Sequence, residues 1–425
     1  MIEVISLLLM FFVWIIHGPR AFFLNLILFW WLFWLAISKY SFTGVDVPSN
    51  ETYFVFYFFL FSIFIGSLIS LALPIKNKIL FDGDMESLKV SKLERIFLGK
   101  VFYIVISVVL IFFLKSIYLF ITIDSLELYR AAVFGLVDGE GSILFGNGHV
   151  ALLYNLTIKS LIMAMFFIGL SIYVNSGKLR LMLWASLFLM MDGVMMLGRF
   201  QVYYIIVFLP IAFILRNGFI ALFSFRPVLF LSSVIALVLI LSFMRGTVDF
   251  IDFVNMFIVN YHTFSFNLFG QALNDSESFL NTNTTFGLAS IGGVVTIFTL
   301  ILRRFGFDIS PLSAYVGTNL SENVQVGFDA LGGAISANAF YSILYSLYLD
   351  GGLIAIWLFG IAYGLLLIRV SCSRQLKNRV VLFCLIYIGF FGLFQPILMG
   401  NVLWWFFIFV ISYYFIIRRT KKNPG

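Results

Sequence analysis

Long apolar runs recur along the whole chain, at about residues 3–16, 22–38, 53–73, 97–121, 151–174, 181–197, 201–215, 227–244, 352–368, 380–397 and 402–417. Such runs leave few structures open, because in hydrocarbon every backbone N–H and C=O must be paired inside the chain. A helix pairs its own groups, whereas a membrane barrel would show alternation over segments of about ten residues. The expectation is an all-α, polytopic integral membrane bundle of eleven spans. Composition excludes a soluble domain: 62% of the residues are hydrophobic, 11% are charged, and the mean hydropathy is +1.06. Several runs fall short of the roughly 20 residues that a span prefers, so their boundaries are soft.

The basic residues orient the spans. Alternation puts Arg20, the Lys76–Lys100 connection, Lys178, Arg180, Arg216, Arg226, the Arg369–Arg379 connection and the Arg418–Lys422 tail on one side. The positive-inside bias makes that side cytoplasmic, with the N-terminus outside and the C-terminus inside. The formal charge of +7 then reflects anchoring against anionic membrane lipid, and no nucleic acid is expected as a partner. The first apolar run has no Lys or Arg before it and is read as a retained span rather than a removed signal. Cys372 and Cys384 lie at or near the cytoplasmic side and are expected as free thiols.

Three blocks follow: an N-terminal bundle of eight spans over 1–244, an external cap over 245–336, and an interfacial helix with three spans over 337–425. A segment as long as the cap needs a job. Within it Phe250, Phe253, Val254, Phe257, Tyr261, Phe264 and Leu268 recur at helical spacing, which predicts a helix on the membrane surface. Phe286–Leu302 is apolar enough to re-enter or span. If it spans, Ser336–Leu349 must return, and the count rises to thirteen.

Eight Lys and Arg fall outside the cytoplasmic set: Lys39, Lys115, Arg130, Lys159, Arg199, Arg245, Arg303 and Arg304. Arg199 and Arg245 are expected at the outer interface, where a guanidinium fork suits a phosphate or diphosphate; the alternative is a snorkelling anchor. Arg130 sits before Gly135, Gly139, Gly141, Gly146 and Gly148, a density that suits either close backbone approach to an oxyanion or an ordinary loop. Lys159 and Asp192, inside spans, are read as a buried structural pair. His262, in the predicted surface helix, has the ordinary pKa of a general base, although an interfacial histidine is the plainer reading. Asp350, before Gly351-Gly352, either caps the coming helix or accepts a substrate proton. No metal-ligand cluster and no phosphate-binding glycine motif is visible, so neither a metal nor another cofactor is expected.

The whole chain resembles the bacterial O-antigen and oligosaccharide repeat-unit polymerases, which are related to the O-antigen ligases. The likeness lies in length, number of spans, one dominant external loop, Leu197-Gly198-Arg199 opening an apolar helix, and Asn338-Ala339-Phe340-Tyr341 leading to Asp350-Gly351-Gly352. Arg130 and Gly141 match a spacing in the family's external loops. The related ligases carry His where Ala337 stands, which favours polymerase over ligase and leaves the base open between His262 and Asp350. The resemblance implies an inverting glycosyl transfer at the periplasmic face of the bacterial inner membrane. The growing glycan leaves undecaprenyl diphosphate for the next undecaprenyl diphosphate-linked oligosaccharide. It also implies diphosphate binding by Arg130, Arg199 and Arg245, and substrate lined by Asn338 and Tyr341. The implied pathway partners are a chain-length regulator and a flippase. The alternative from another class is a transporter or flippase of the same lipid-linked sugar.

Overall fold

Apolar runs with few breakers become helices, and helices account for most of the chain. The computed structural model describes residues 2–73, 83–123, 125–133, 142–243, 251, 254–309, 320, 322–329, 332–338, 341–400 and 403–422. In order, the helices are α1 (Ile2–His17), α2 (Phe22–Ile37), α3 (Asn50–Ala72), α4 (Gly83–Ile96), α5 (Phe102–Thr122), α6 (Leu126–Val133), α7 (Gly148–Leu153), α8 (Ser160–Ser176), α9 (Arg180–Met195), α10 (Phe200–Asn217) and α11 (Phe225–Phe243). Then come α12 (Tyr261–Asn274), α13 (Phe279–Thr282), α14 (Gly292–Arg304), strands β1 (Val324–Phe328) and β2 (Ala334–Ala337), α15 (Ile343–Ser371), α16 (Leu376–Phe391) and α17 (Trp404–Lys422).

Among the described residues, six helical stretches are long and apolar enough to cross a membrane: Glu3–Ile37, Asn50–Ala72, Lys89–Thr122, Gly148–Ser176, Phe200–Asn217 and Ile343–Ser371. The chain is thus a predominantly helical protein with membrane-spanning character. The run expected over 380–397 is helical only to Phe391, after which the chain turns through Gln395 and Pro396. Proline cannot donate the next helical bond, which fits the break.

The chain divides into two compact units whose boundaries cross the three blocks drawn from sequence. One comprises Met1–Ile79, Ile251–Ser373 and Cys384–Leu403; the other comprises Leu80–Phe250, Arg374–Phe383 and Trp404–Gly425.

In the first unit, α3 and α15 are the most closely paired helices. Gly360 lies against Ser62, Gly364 against the backbone of Ile63, and Gly66 against the backbone of Ile361, so a Cβ on any of the three glycines would strike the facing helix. Small residues four apart let two backbones touch, which is how helices associate where lipid supplies no hydrophobic drive. Indole N–H groups tie α2 to α16, from Trp31 to the Gly389 carbonyl at 2.7 Å and from Trp30 to that of Phe390 at 3.1 Å. At one end Glu3 meets Lys39, and Tyr57 donates to Glu3 at 2.9 Å. The 38–49 connection joins the antiparallel β1–β2 hairpin as a short third rung: Asp46 N–H donates to Val326 O at 2.8 Å and Phe328 N–H to Gly44 O at 3.0 Å.

α12 packs on α2, α3 and β1, and every residue from His262 to Gly270 is buried. The expected surface helix with a single buried face is therefore corrected. Its polar side is covered as well, for Asn267 Nδ2 donates to Asp46 O at 3.0 Å and Asn260 bonds Thr43.

In the second unit α8 is the central helix, apolar almost all round and buried from Ile162 to Val174. Gly169 lies against the backbone of Leu181 and Met182, which allows α9 to pack closely beside it. Phe167 stacks on Trp405 of α17 with ring centroids 4.4 Å apart and meets Phe208 of α10 edge-on at 4.8 Å. At one end of this unit Arg216 donates to Val174 O at 3.1 Å, and Lys178 pairs with Glu94 at 2.7 Å. At another point Tyr129, in α6, donates to Met195 O at 2.6 Å.

Candidate functional site

The strongest concentration of chemistry in the second unit lies where α9 passes into α10. The chain reverses through Met196–Arg199 with Gly198 N–H donating to Gly193 O at 2.8 Å, and Leu197 adopts a left-handed φ of +46°. A branched side chain resists that conformation, at a cost of about 1–2 kcal/mol, and such strain gathers at functional sites. The turn delivers Arg199 to the start of α10, where its side chain is only 7% exposed. Arg199 is therefore largely enclosed by protein, which argues against the alternative of a snorkelling anchor.

Beneath the turn lies Asp192, fully buried near the end of α9. It accepts from Tyr154 Oη at 2.9 Å and Gln201 Nε2 at 2.8 Å, with Lys159 Nζ at 3.6 Å. Tyr154–Lys159 is a π-helical turn. In an α-helix residues five apart point well away from each other; the wider turn brings Tyr154 and Lys159 toward one face, so both reach the same carboxylate. The buried pair expected from sequence is present, and Tyr154 and Gln201 complete it. Neither signalled itself, since a tyrosine and a glutamine at span ends are ordinary residues.

Arg130 is exposed on the last turn of α6. Its neighbour Tyr129 is 1% exposed, stacks on Phe120 at 4.1 Å and holds the Met195 carbonyl, which pins α6 beside the Met196–Arg199 turn. Burial pushes the Tyr129 phenol up to about 12, so it stays a hydrogen-bond donor at neutral pH. The segments carrying Arg130 and Arg199 are thereby joined. Arg245, Gly135, Gly139 and Gly141 lie outside the described residues.

The remaining candidates belong to the first unit. His262 is enclosed by aromatic rings, stacked on Trp34 at 4.2 Å and edge-on to Trp30 at 5.0 Å and Phe394 at 4.7 Å. Its Nδ1 meets Ile258 O at 2.5 Å, which assigns the proton to that nitrogen. Burial pushes the imidazole down to about 4, because the charged form would lose its hydration. That value makes it a weak base at neutral pH.

The Asp350 carboxylate gathers the 285–290 loop, accepting from Thr285 Oγ1 at 2.5 Å and from the N–H groups of Gly287 (3.0 Å), Ala289 (2.9 Å) and Ser290 (2.8 Å). Gly351 and Gly352 then break α15, and Gly352 takes φ +60°, ψ −143°, a region closed to L side chains. Tyr341 is 6% exposed, packs on Tyr345 at 4.8 Å, and burial pushes its phenol up to about 12. Asn338 is half-buried and donates to Asn323 at 2.8 Å.

No family model, curated protein or solved structure matches this chain.

A shallow pocket bounded by Ser38, Ser41, Thr43, Asp46, Val259 and Thr263 holds about 250 Å³ including its open mouth. Small-molecule sites run from roughly 300 to 1,000 Å³, so it is undersized for an oligosaccharide.

Proposed function

We propose that the chain polymerises lipid-linked oligosaccharide repeat units, with eleven membrane crossings, an external N-terminus and a cytoplasmic C-terminus. The observation that carries the reading is the Tyr129–Met195 hydrogen bond, which links the helix bearing Arg130 to the strained turn bearing Arg199. Two guanidinium groups on adjoining segments suit a diphosphate, since each offers a planar fork of donors. Support for the crossings comes from how the ends sort within each unit. Connections assigned to the cytoplasm meet each other, as Lys178 does Glu94, and those assigned outside meet each other, as Glu3 does Lys39. α14 has 13 residues, about 20 Å of helix against roughly 30 Å of hydrocarbon, which favours eleven crossings over thirteen.

In the proposed reaction a hydroxyl oxygen of the acceptor unit attacks the anomeric carbon of the donor glycan. The carbon–oxygen bond to undecaprenyl diphosphate breaks with its electron pair leaving on the diphosphate, and the hydroxyl proton passes to a base. Arginine contacts that strengthen as the leaving group gains charge supply most of the stabilisation. A leaving group of such low basicity asks little of the base, which fits the enclosed settings of His262 and Asp350.

The test is purified protein with its lipid-linked repeat unit, read as a ladder of products. Arg199→Ala should slow elongation on the order of 100-fold, the loss of about 3 kcal/mol of transition-state stabilisation. Arg199→Lys should be partly active, and Arg379→Ala, in a cytoplasmic connection, should be normal. Unchanged substrate with folded parent protein would end the reading. A transporter of the same lipid-linked sugar is the second reading, favoured by the enclosed Lys159–Asp192 pair.

A further inference from the structure

α14 is amphipathic in an unusual sense. Its inward face consists of Gly292, Gly293, Thr296 and Thr299, all buried, with Gly292 close against the backbone of Met399. The threonine hydroxyls are satisfied within the helix, Thr296 on Gly292 O at 2.8 Å and Thr299 on Thr296 O at 3.0 Å. The opposite face is large and apolar. Ile291 is 50% exposed, Phe298 61%, Ile301 49% and Phe305 77%, spaced so that they fall along one side. Phe286, at 87%, extends the patch towards the loop that Asp350 holds. The helix ends in Arg303 and Arg304, both exposed.

We infer that α14 lies in the plane of the bilayer, with its outward face against acyl chains and Arg303 and Arg304 at lipid phosphates. The length, about 20 Å, is too short to cross and sufficient to lie flat. Polar residues turned inward and apolar residues turned outward form the pattern of a helix whose solvent is lipid. Charge selects the occupant. The stretch from Phe286 to Phe307 contains two arginines and no Asp or Glu, so the same face of a second copy would bring no countercharge, whereas anionic headgroups would. Cations at the C-terminal end of a helix also complement its dipole. Asp350 holds Gly287, Ala289 and Ser290, in the loop that leads into the helix. This inference holds whichever activity the protein has.

The experiment uses the full chain carrying Cys372→Ser, in vesicles of phosphatidylethanolamine and phosphatidylglycerol. Nitroxide labels are placed singly through Phe298→Cys, Ile301→Cys, Phe305→Cys and, on the inward face, Thr299→Cys. Labels on the outward face should collide freely with oxygen and be shielded from a water-soluble nickel chelate, and the label at 299 should be immobilised and shielded from both. The double variant Arg303→Glu, Arg304→Glu should raise nickel access at 305. Free nickel access at 298 and 301 in the parent would overturn the inference by putting the face in water. Shielding from both reagents, with dipolar broadening between labelled copies, would overturn it in favour of a dimer contact. Immobilisation only after adding a lipid-linked oligosaccharide would assign the face to substrate instead. Because no reading depends on turnover, failure here and failure of the polymerase assay are separable.

Discussion

Asp350 in the first unit and Asp192 in the second are both enclosed carboxylates, and they are satisfied in opposite ways. Asp350 is served mainly by the backbone, through three amides and one hydroxyl from a single loop. Asp192 is served by side chains from separate helices, Tyr154 and Lys159 on one side and Gln201 on the other. A carboxylate held by amides is bound to one loop conformation, and no change to its donors' side chains can replace it. One held by side chains can be exchanged together with its partners. The first arrangement suits architecture; the second leaves room for chemistry.

The largest expected effect is Asp350→Ala. It leaves the amides of Gly287, Ala289 and Ser290 without their acceptor at once, while Thr285 Oγ1 keeps the Leu349 carbonyl at 3.3 Å, and at about 1–3 kcal/mol per orphaned donor the loss is on the order of 4 kcal/mol. The unfolding midpoint in detergent should fall steeply, and Thr285→Val in the same chain should not restore it. Stability unchanged by Asp350→Ala would show that the clamp is not structural.

Asp192→Ala comes next. Removing one partner of an enclosed pair costs about 3–5 kcal/mol, moderated here because Lys159 is 22% exposed and can turn outward. Unlike the first case, rescue is expected once every donor is exchanged too: Asp192→Leu with Lys159→Met, Tyr154→Phe and Gln201→Leu should regain most of the stability, whereas Asp192→Leu with Lys159→Met alone leaves Tyr154 and Gln201 without an acceptor. If that combined variant is stable and still polymerises, the pair is structural. If it is stable and moves no lipid-linked sugar across vesicles that the parent does transport, the second reading gains. Smaller still are Tyr154→Phe and Thr285→Val, each removing one donor while others remain, at about 1 kcal/mol. A Thr285→Val loss as large as that of Asp350→Ala would erase the contrast between backbone and side-chain service.

How much of this was legible in sequence follows from the range of the interactions. Hydropathy is local, so the apolar stretches could be read directly. Lys159–Asp192 was legible too, because charge inside a span demands a partner and few were on offer. The Asp350 clamp was not, because its donors are amides some sixty residues away, and an amide carries no residue identity. Hydropathy places Arg199 at a span end and so at the outer interface; only the turn through Leu197 shows that its side chain is enclosed. The aromatic pattern around His262 was read as a single-faced helix for a similar reason: its other face is covered by the 38–49 connection and β1, which nothing local announces.

The smallest effect at neutral pH, and the sharpest against acid, belongs to His262. It is enclosed like the two aspartates, but burial outweighs the opposing hydrogen bond to the Ile258 carbonyl and pushes the imidazole from the ordinary 6.5 down to about 4. Between those values the unfolded chain binds a proton that the folded chain does not, so folded stability is full above about 6.5 and is lost as pH falls towards 4. Unfolding in detergent at a series of pH values should therefore show a decline on acidification. His262→Phe, which keeps an aromatic ring against Trp34 and Trp30, should flatten that part of the profile while changing little at pH 7. An unaltered acid limb in His262→Phe would mean that other groups govern it. A gain of stability on acidification would mean that the ring is charged in the folded state, and would return His262 to the list of working bases.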